Sequence, residues 1–203
     1  MSNSARNARA SLLDKIKSIS ESRIDFIQIR EKDLSGHELS ELAREVIRLV
    51  PHSCRILIND RLDVAQAVAA AGVHLAEKSI PVEHARRYVE ERGGSTDFLI
   101  GVSAHSPEAA RAAQLAGADY VIFGPVFVTP SKAAFGPAQG LEKLATTCAS
   151  VSIPVLAIGG ITQENASECY SRGASGIAAI RLFQEAADAE RVVKQLRGLP
   201  IDG

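Results

Sequence analysis

The sequence has no long apolar run: no stretch approaches the ~20 residues that cross a bilayer, so no membrane role is expected. Charge of one sign is lacking too. The 203 residues carry 23 Lys and Arg against 24 Asp and Glu, a formal net charge of −1, and no basic tail. No global field therefore draws the chain to nucleic acid, and any cationic cluster must be local. Cysteine is scarce and odd in number. Cys54, Cys148 and Cys169 lie far apart without CxxC spacing, which speaks against a disulfide framework or a zinc site and for reduced thiols in the cytoplasm. No GxGxxG follows an early strand, which lowers a dinucleotide-binding sheet. The start, MSNSARNARAS, lacks an apolar h-region and runs into a helical pattern, so it reads as a frayed terminus rather than a targeting segment. The five histidines form no metal-ligand spacing. His37, His52 and His84 read as surface residues, whereas His74 and His105 lie in or after strands.

What is present is a strand–helix alternation in a chain that is 46% hydrophobic, enough for one well-buried domain over residues 1–203. Candidate strands are FIQIRE, RILIND, GVHLA, FLIGVSA, YVIFGPV, PVLAIGG and GIAAIR. Helical patterns follow in GHELSELAREVIRLV, DVAQAVAAAG, PVEHARRYVEER, SPEAARAAQLAG, GLEKLATTCASV and TQENASECYSRG. Ser106 with Pro107 starts one helix, and Gly117 and Gly173 end two as left-handed caps. Short apolar strands with helical crossovers mean an α/β fold with a parallel sheet. Polar residues gather at the C-terminal ends of the strands, where a barrel keeps its active site, so a (β/α)8 TIM barrel is expected over an open sheet. The first strand of that barrel is missing from this sequence: a helix over roughly Ala8 to Ser20 precedes the first of seven strands. A seven-stranded barrel has unpaired edges, which would favour self-association as a homo-oligomer.

Several groups along these strand ends can carry chemistry. In FIQIREK, alternation puts Gln28, Arg30 and Lys32 on one face, and two cations beside an amide suit a phosphate or pyrophosphate. The alternative is that Arg30 pairs with a carboxylate inside the barrel. Asn59 and Asp60 end the second strand, a pairing that suits Mg²⁺ but is equally ordinary turn and N-cap chemistry. GPVFVTPSK supplies Thr129, Ser131 and Lys132 to a loop at the barrel mouth, either an anion lid or a plain solvated loop. Gly159 and Gly160 end the sixth strand, where a backbone can approach a phosphate closely.

Taken together, QIREK, INDRLDVAQAVAAAGVHLAEKSIP, GVSAHS, GADYVIFGPVFVTPSK and IPVLAIGGI resemble, in order and spacing, the thiamine phosphate synthase/TenI family. The resemblance covers almost the whole chain from about Ala8. It implies a TIM barrel that joins an aminopyrimidine diphosphate to a thiazole phosphate with Mg²⁺, both small phosphorylated substrates. It further implies that Gln28, Arg30, Lys32 and Asn59 hold the pyrophosphate with Lys132 beside it, and that Asp60 binds the metal. By the same resemblance Ser103 contacts the pyrimidine diphosphate, while Thr129, Ser131 and the Gly160 backbone receive the thiazole phosphate. Three departures stand out. Ser79 replaces the family's second metal-binding Asp, with Glu77 two residues away; Arg181 stands where the synthase has Ser in its final strand; and the family's first strand is absent. Loss of that Asp is a TenI-like trait. Against this, Pro125 stands where a TenI-type thiazole tautomerase has His, and GPVF is the synthase form. The expected activity is therefore thiamine phosphate synthesis, with a TenI-like tautomerase or a non-catalytic thiamine-metabolite binder as the alternatives.

Overall fold

Seven short strands rich in Val, Ile and Leu form one parallel sheet in strict chain order, each paired with its neighbours in sequence. The structure, a computed structural model, describes residues 3–93, 95–129 and 137–198, with side chains from residue 9 onward. The strands are β1 Phe26–Ile29, β2 Arg55–Asn59, β3 Gly72–Leu75, β4 Leu99–Ala104, β5 Tyr120–Phe123, β6 Val155–Ile158 and β7 Gly176–Ala178. The helices are α1 Asn3–Glu21, α2 Gly36–Leu49, α3 Leu62–Ala67, α4 Val82–Glu91, α5 Pro107–Leu115, α6 Gly140–Ser150, α7 Ala166–Tyr170, α8 Arg181–Gln184 and α9 Ala189–Arg197. The result is a curled, TIM-barrel-like α/β sheet. Among the described residues, no helix is long and apolar enough to cross a membrane.

The two faces of the sheet differ as strand periodicity requires. Ile29, Ile58, Val73, Ile100, Val121 and Ala157 share one face through the ladder and lie buried in the main hydrophobic cluster with the helices. The alternate residues Gln28, Asn59, His74, Gly101, Ser103 and Tyr120 point the other way, into the curl. Helix starts are set locally. Ser35 and Glu38 form a capping box at α2, and the Ser106 hydroxyl accepts from Ala109 N at 3.1 Å at the start of α5.

Several sequence expectations are corrected. β1 ends at Ile29, where its pairing with β2 stops at Ile29–Ile58, so Arg30 and Lys32 follow the strand instead of standing along it. β7 spans three residues, and Arg181 opens α8 instead of ending a strand. Of TQENASECYSRG, only Ala166–Tyr170 is helical. The described residues form seven strands, as the sequence predicts, and no ladder joins β7 to β1 among them. The two margins of the sheet are linked instead on the helical side. There α1 packs on α9, Lys15 Nζ donates to Ala186 O at 2.8 Å, and Arg197 Nη2 donates to Arg23 O at 2.6 Å and Asp25 Oδ1 at 2.9 Å. Cys54, Cys148 and Cys169 are free thiols, as expected, and burial pushes each of them above its ordinary pKa.

Candidate active site

Side chains on the inner face become more polar towards the C-terminal ends of the strands. On the first pair, Gln28 lies opposite Leu57, and its Nε2 reaches diagonally to Asn59 Oδ1 at 2.8 Å. That bond leaves the Gln28 carbonyl and the Asn59 amide hydrogens to face the curl. Arg30 and Lys32 follow on the exposed loop between β1 and the Ser35 cap of α2. They stand at the rim, above Gln28, free of the ladder.

Asp60 follows β2 in the left-handed region, φ 63°, a conformation that Asp tolerates better than most residues. Its N–H donates to His74 O at 2.8 Å, which turns the carboxylate out to solvent. The Ser79 hydroxyl donates to Asp60 Oδ1 in a short contact and accepts from Ala76 N at 2.8 Å, so the β3–α4 turn is tied to the end of β2. Ser79 thus occupies the place beside Asp60 with a neutral oxygen. Glu77, two residues before Ser79, faces His105 Nε2 at 3.9 Å. One carboxylate and one hydroxyl, both hard oxygens, fit Mg²⁺, which takes one or two carboxylates plus substrate phosphates. Among the described residues, no three His, Cys, Asp or Glu side chains converge as a metal cluster.

The floor of the curl is a hydrogen-bonded array that sequence reasoning missed. His74 and Tyr120 sit in register on either side of Gly101, and with no side chain between them His74 Nδ1 meets the Tyr120 hydroxyl at 3.1 Å. His74 Nε2 meets Ser103 Oγ at 2.9 Å. Burial holds His74 well down, at a pKa of about 4, so the imidazole is neutral at physiological pH; burial likewise pushes the Tyr120 phenol up. The signal was in the sequence, in the parity of GVHLA, GVSA and YVIF, but only the strand register shows that the three groups share one spot.

A third cluster forms around the turn after β5. Gly124 to Phe127 run against Gly159 and Gly160, with Val126 N donating to Ile158 O at 2.8 Å and Phe127 N to Gly159 O at 3.0 Å. Contact is so close that a Cβ on Gly124 would lie 2.1 Å from Ile158 O, and one on Gly160 2.7 Å from Val128 O. This packing carries Thr129 to a buried position, where Arg181 Nη2 donates to its hydroxyl at 3.0 Å. Thr129, Gly160 and Arg181 are therefore gathered at adjacent strand ends, while Ser131 and Lys132 lie outside the described residues. Uncharged hydrogen-bonding groups thus lie on the floor of the curl, and the charged side chains of Arg30, Lys32, Asp60 and Arg181 are exposed at its rim.

Comparison with known proteins points the same way. Residues 2–183 match the family model described as thiamine monophosphate synthase. The chain is 41% identical over 174 residues to the thiamine-phosphate synthase of Methanoculleus marisnigri, covering 85% of this chain and 80% of that one. It is 38% identical over 188 residues to the thiamine-phosphate synthase of Syntrophomonas wolfei, covering 92% and 88%. Among solved structures, thiamine phosphate pyrophosphorylase from Pyrococcus furiosus superposes with a TM-score of 0.81 at 34% identity, covering 92% of this chain and 88% of that one.

Proposed function

The chain belongs to the thiamine monophosphate synthase family, and from that premise we propose that it is a thiamine-phosphate synthase, a transferase. It would couple an aminopyrimidine diphosphate with a thiazole phosphate. The bond between the pyrimidine methylene and the diphosphate oxygen breaks, a bond from that carbon to the thiazole nitrogen forms, and pyrophosphate leaves with the electron pair. The observation that carries this reading is the sorting of side chains by depth. Uncharged hydrogen-bonding groups line the floor (Gln28, Asn59, His74, Ser103 and Tyr120), and the charges of Arg30, Lys32, Asp60 and Arg181 stand exposed at the rim. That gradient suits a substrate with a neutral aromatic head and a diphosphate tail.

In this reading Gln28 and Asn59, locked to each other, orient the diphosphate, and Arg30 and Lys32 stabilise the charge that grows on it as it departs, a task the family resemblance gives to Lys132 as well. Asp60, with Ser79, would hold Mg²⁺, which neutralises pyrophosphate charge when bound. Ser103, oriented by neutral His74, meets the pyrimidine diphosphate. Thr129, Ser131, the Gly160 backbone and Arg181 receive the thiazole phosphate, Arg181 trading its bond to Thr129 for a charge-assisted one. Much of the acceleration would come from positioning two reactants against each other. We further read the seven strands as staves of a (β/α)8 barrel.

The test mixes purified protein with both substrates and Mg²⁺ and quantifies thiamine phosphate and pyrophosphate. Equal, Mg²⁺-dependent amounts of the two products are expected, with Arg30→Ala losing turnover while its circular dichroism is unchanged. A fully active Arg30→Ala protein would overturn the role of the rim cation. Absence of product from the wild type, with turnover restored in Ser79→Asp, would mean a pocket that has lost its metal site.

A further inference from the structure

The β4–β5 ladder weakens at its C-terminal end. Gly124 N reaches Ala104 O at 3.4 Å, and the next residue, Pro125, has no N–H with which to continue. At this point a side chain takes over: His105 Nδ1 bonds to the Gly124 carbonyl. A carbonyl only accepts, so Nδ1 must carry the hydrogen and donate. The other ring nitrogen faces Glu77 Oε2 at 3.9 Å. One imidazole thus ties the β4–α5 loop on which it sits to the β5–α6 loop at Gly124, with Glu77 of the β3–α4 loop facing its other side.

We propose that His105 is a positioning residue for the second substrate: it fixes the Gly124–Thr129 turn, and through it the thiazole-phosphate end of the site, relative to Ser103. The β6 side of this turn is held by backbone bonds from Val126 to Ile158 and from Phe127 to Gly159, and by glycines that admit no Cβ. The β4 side is held beyond the ladder by His105. The role is one of placement more than of stability, because both side chains stand well out of the core, 43% exposed for His105 and 59% for Glu77. An exposed pair of this kind contributes little to folding. Its bond to Gly124 nevertheless acts at the root of the segment that ends in Thr129, five residues on.

The catalytic part of this inference rests on the synthase reading, so the experiment has two independent arms. In the first, His105→Ala raises KM for the thiazole phosphate about tenfold, as loss of one hydrogen bond to the turn would. KM for the pyrimidine diphosphate and kcat stay within about twofold. His105→Asn, whose amide N–H replaces Nδ1–H, restores the thiazole-phosphate KM. An equal rise in both KM values, or no rescue by Asn, overturns the proposal, since general loosening would not discriminate between substrates. The second arm measures amide exchange at Val126 and Phe127 in the ligand-free protein. His105→Ala is expected to speed exchange there about tenfold without changing the strand amides, and His105→Asn to reverse it. Unchanged exchange overturns the proposal whatever the activity. If the wild type makes no thiamine phosphate, the synthase reading has failed and the exchange arm still decides the role of His105.

Discussion

His74 is 3% exposed and lies between a phenol and a hydroxyl, which fixes how the protein answers acid. Its pKa is about 4 when folded, against an ordinary 6.5. Between those values the unfolded chain binds a proton that the folded chain refuses. Stability from this group is therefore complete above about pH 6.5, falls as pH drops towards 4 and levels off below, a change on the order of 3 kcal/mol. Carboxylates titrate in the lower part of the same window, so the discriminating measurement is a difference. Urea unfolding of wild type and His74→Gln from pH 7 to 4 should show a shallower decline in the variant; parallel declines would remove His74 as the cause. Little of this was legible in the sequence, because burial of His74 depends on which residues stand in register with it, two strands away. The same holds for Arg181, read as a strand residue and found at the first position of α8, where it meets Thr129.

At the scale of the element, strands were easy to read and their ends were not. All seven strands are short apolar runs between turn signals, and local sequence suffices to find them. The last residue of a strand is set by its pairing: the β1–β2 ladder stops at Ile29–Ile58 although β2 runs on to Asn59 beside β3, so Arg30 lies outside it although its spacing continues the alternation. Gly117 and Gly173 take positive φ, as their positions after helices required. α8 and α9 went unread; α8 is a single turn with no side-chain cap, whereas α9 did carry a signal, an Asp188 N-cap ahead of an amphipathic run that ends in Lys194 and Arg197. Within the sheet, Gly101 shows how much one element leans on the next. A Cβ there would stand 1.9 Å from Tyr120 Cζ, so the ring crosses the strand only because the side chain is missing. Gly101→Ala should cost about 1–3 kcal/mol in chemical denaturation, and the cost should shrink when Tyr120 is already Ala. Additive losses in that cycle would mean that the clash is relieved without moving the ring.

On the scale of the molecule, α9 draws the margins of the sheet together. Val192, Val193 and Leu196 are buried, and the exposed Arg197 pair with Asp25 adds little to what this packing supplies. Leu196→Ala should therefore destabilise the fold by about 2–5 kcal/mol, whereas Arg197→Ala should change it by less than about 1 kcal/mol; thermal unfolding of the two variants compares them directly. A larger loss from Arg197 would move the weight of this contact from packing to charge. The strand order carries a consequence of its own. Because each strand pairs with the one before it, every unit finds its dock already waiting as it emerges from the ribosome, and growth of the sheet never has to wait for a distant partner. The junction of α1 with α9 is the exception. α1 must keep its apolar face, including Ile16 and Ile19, without that partner until α9 has been synthesised.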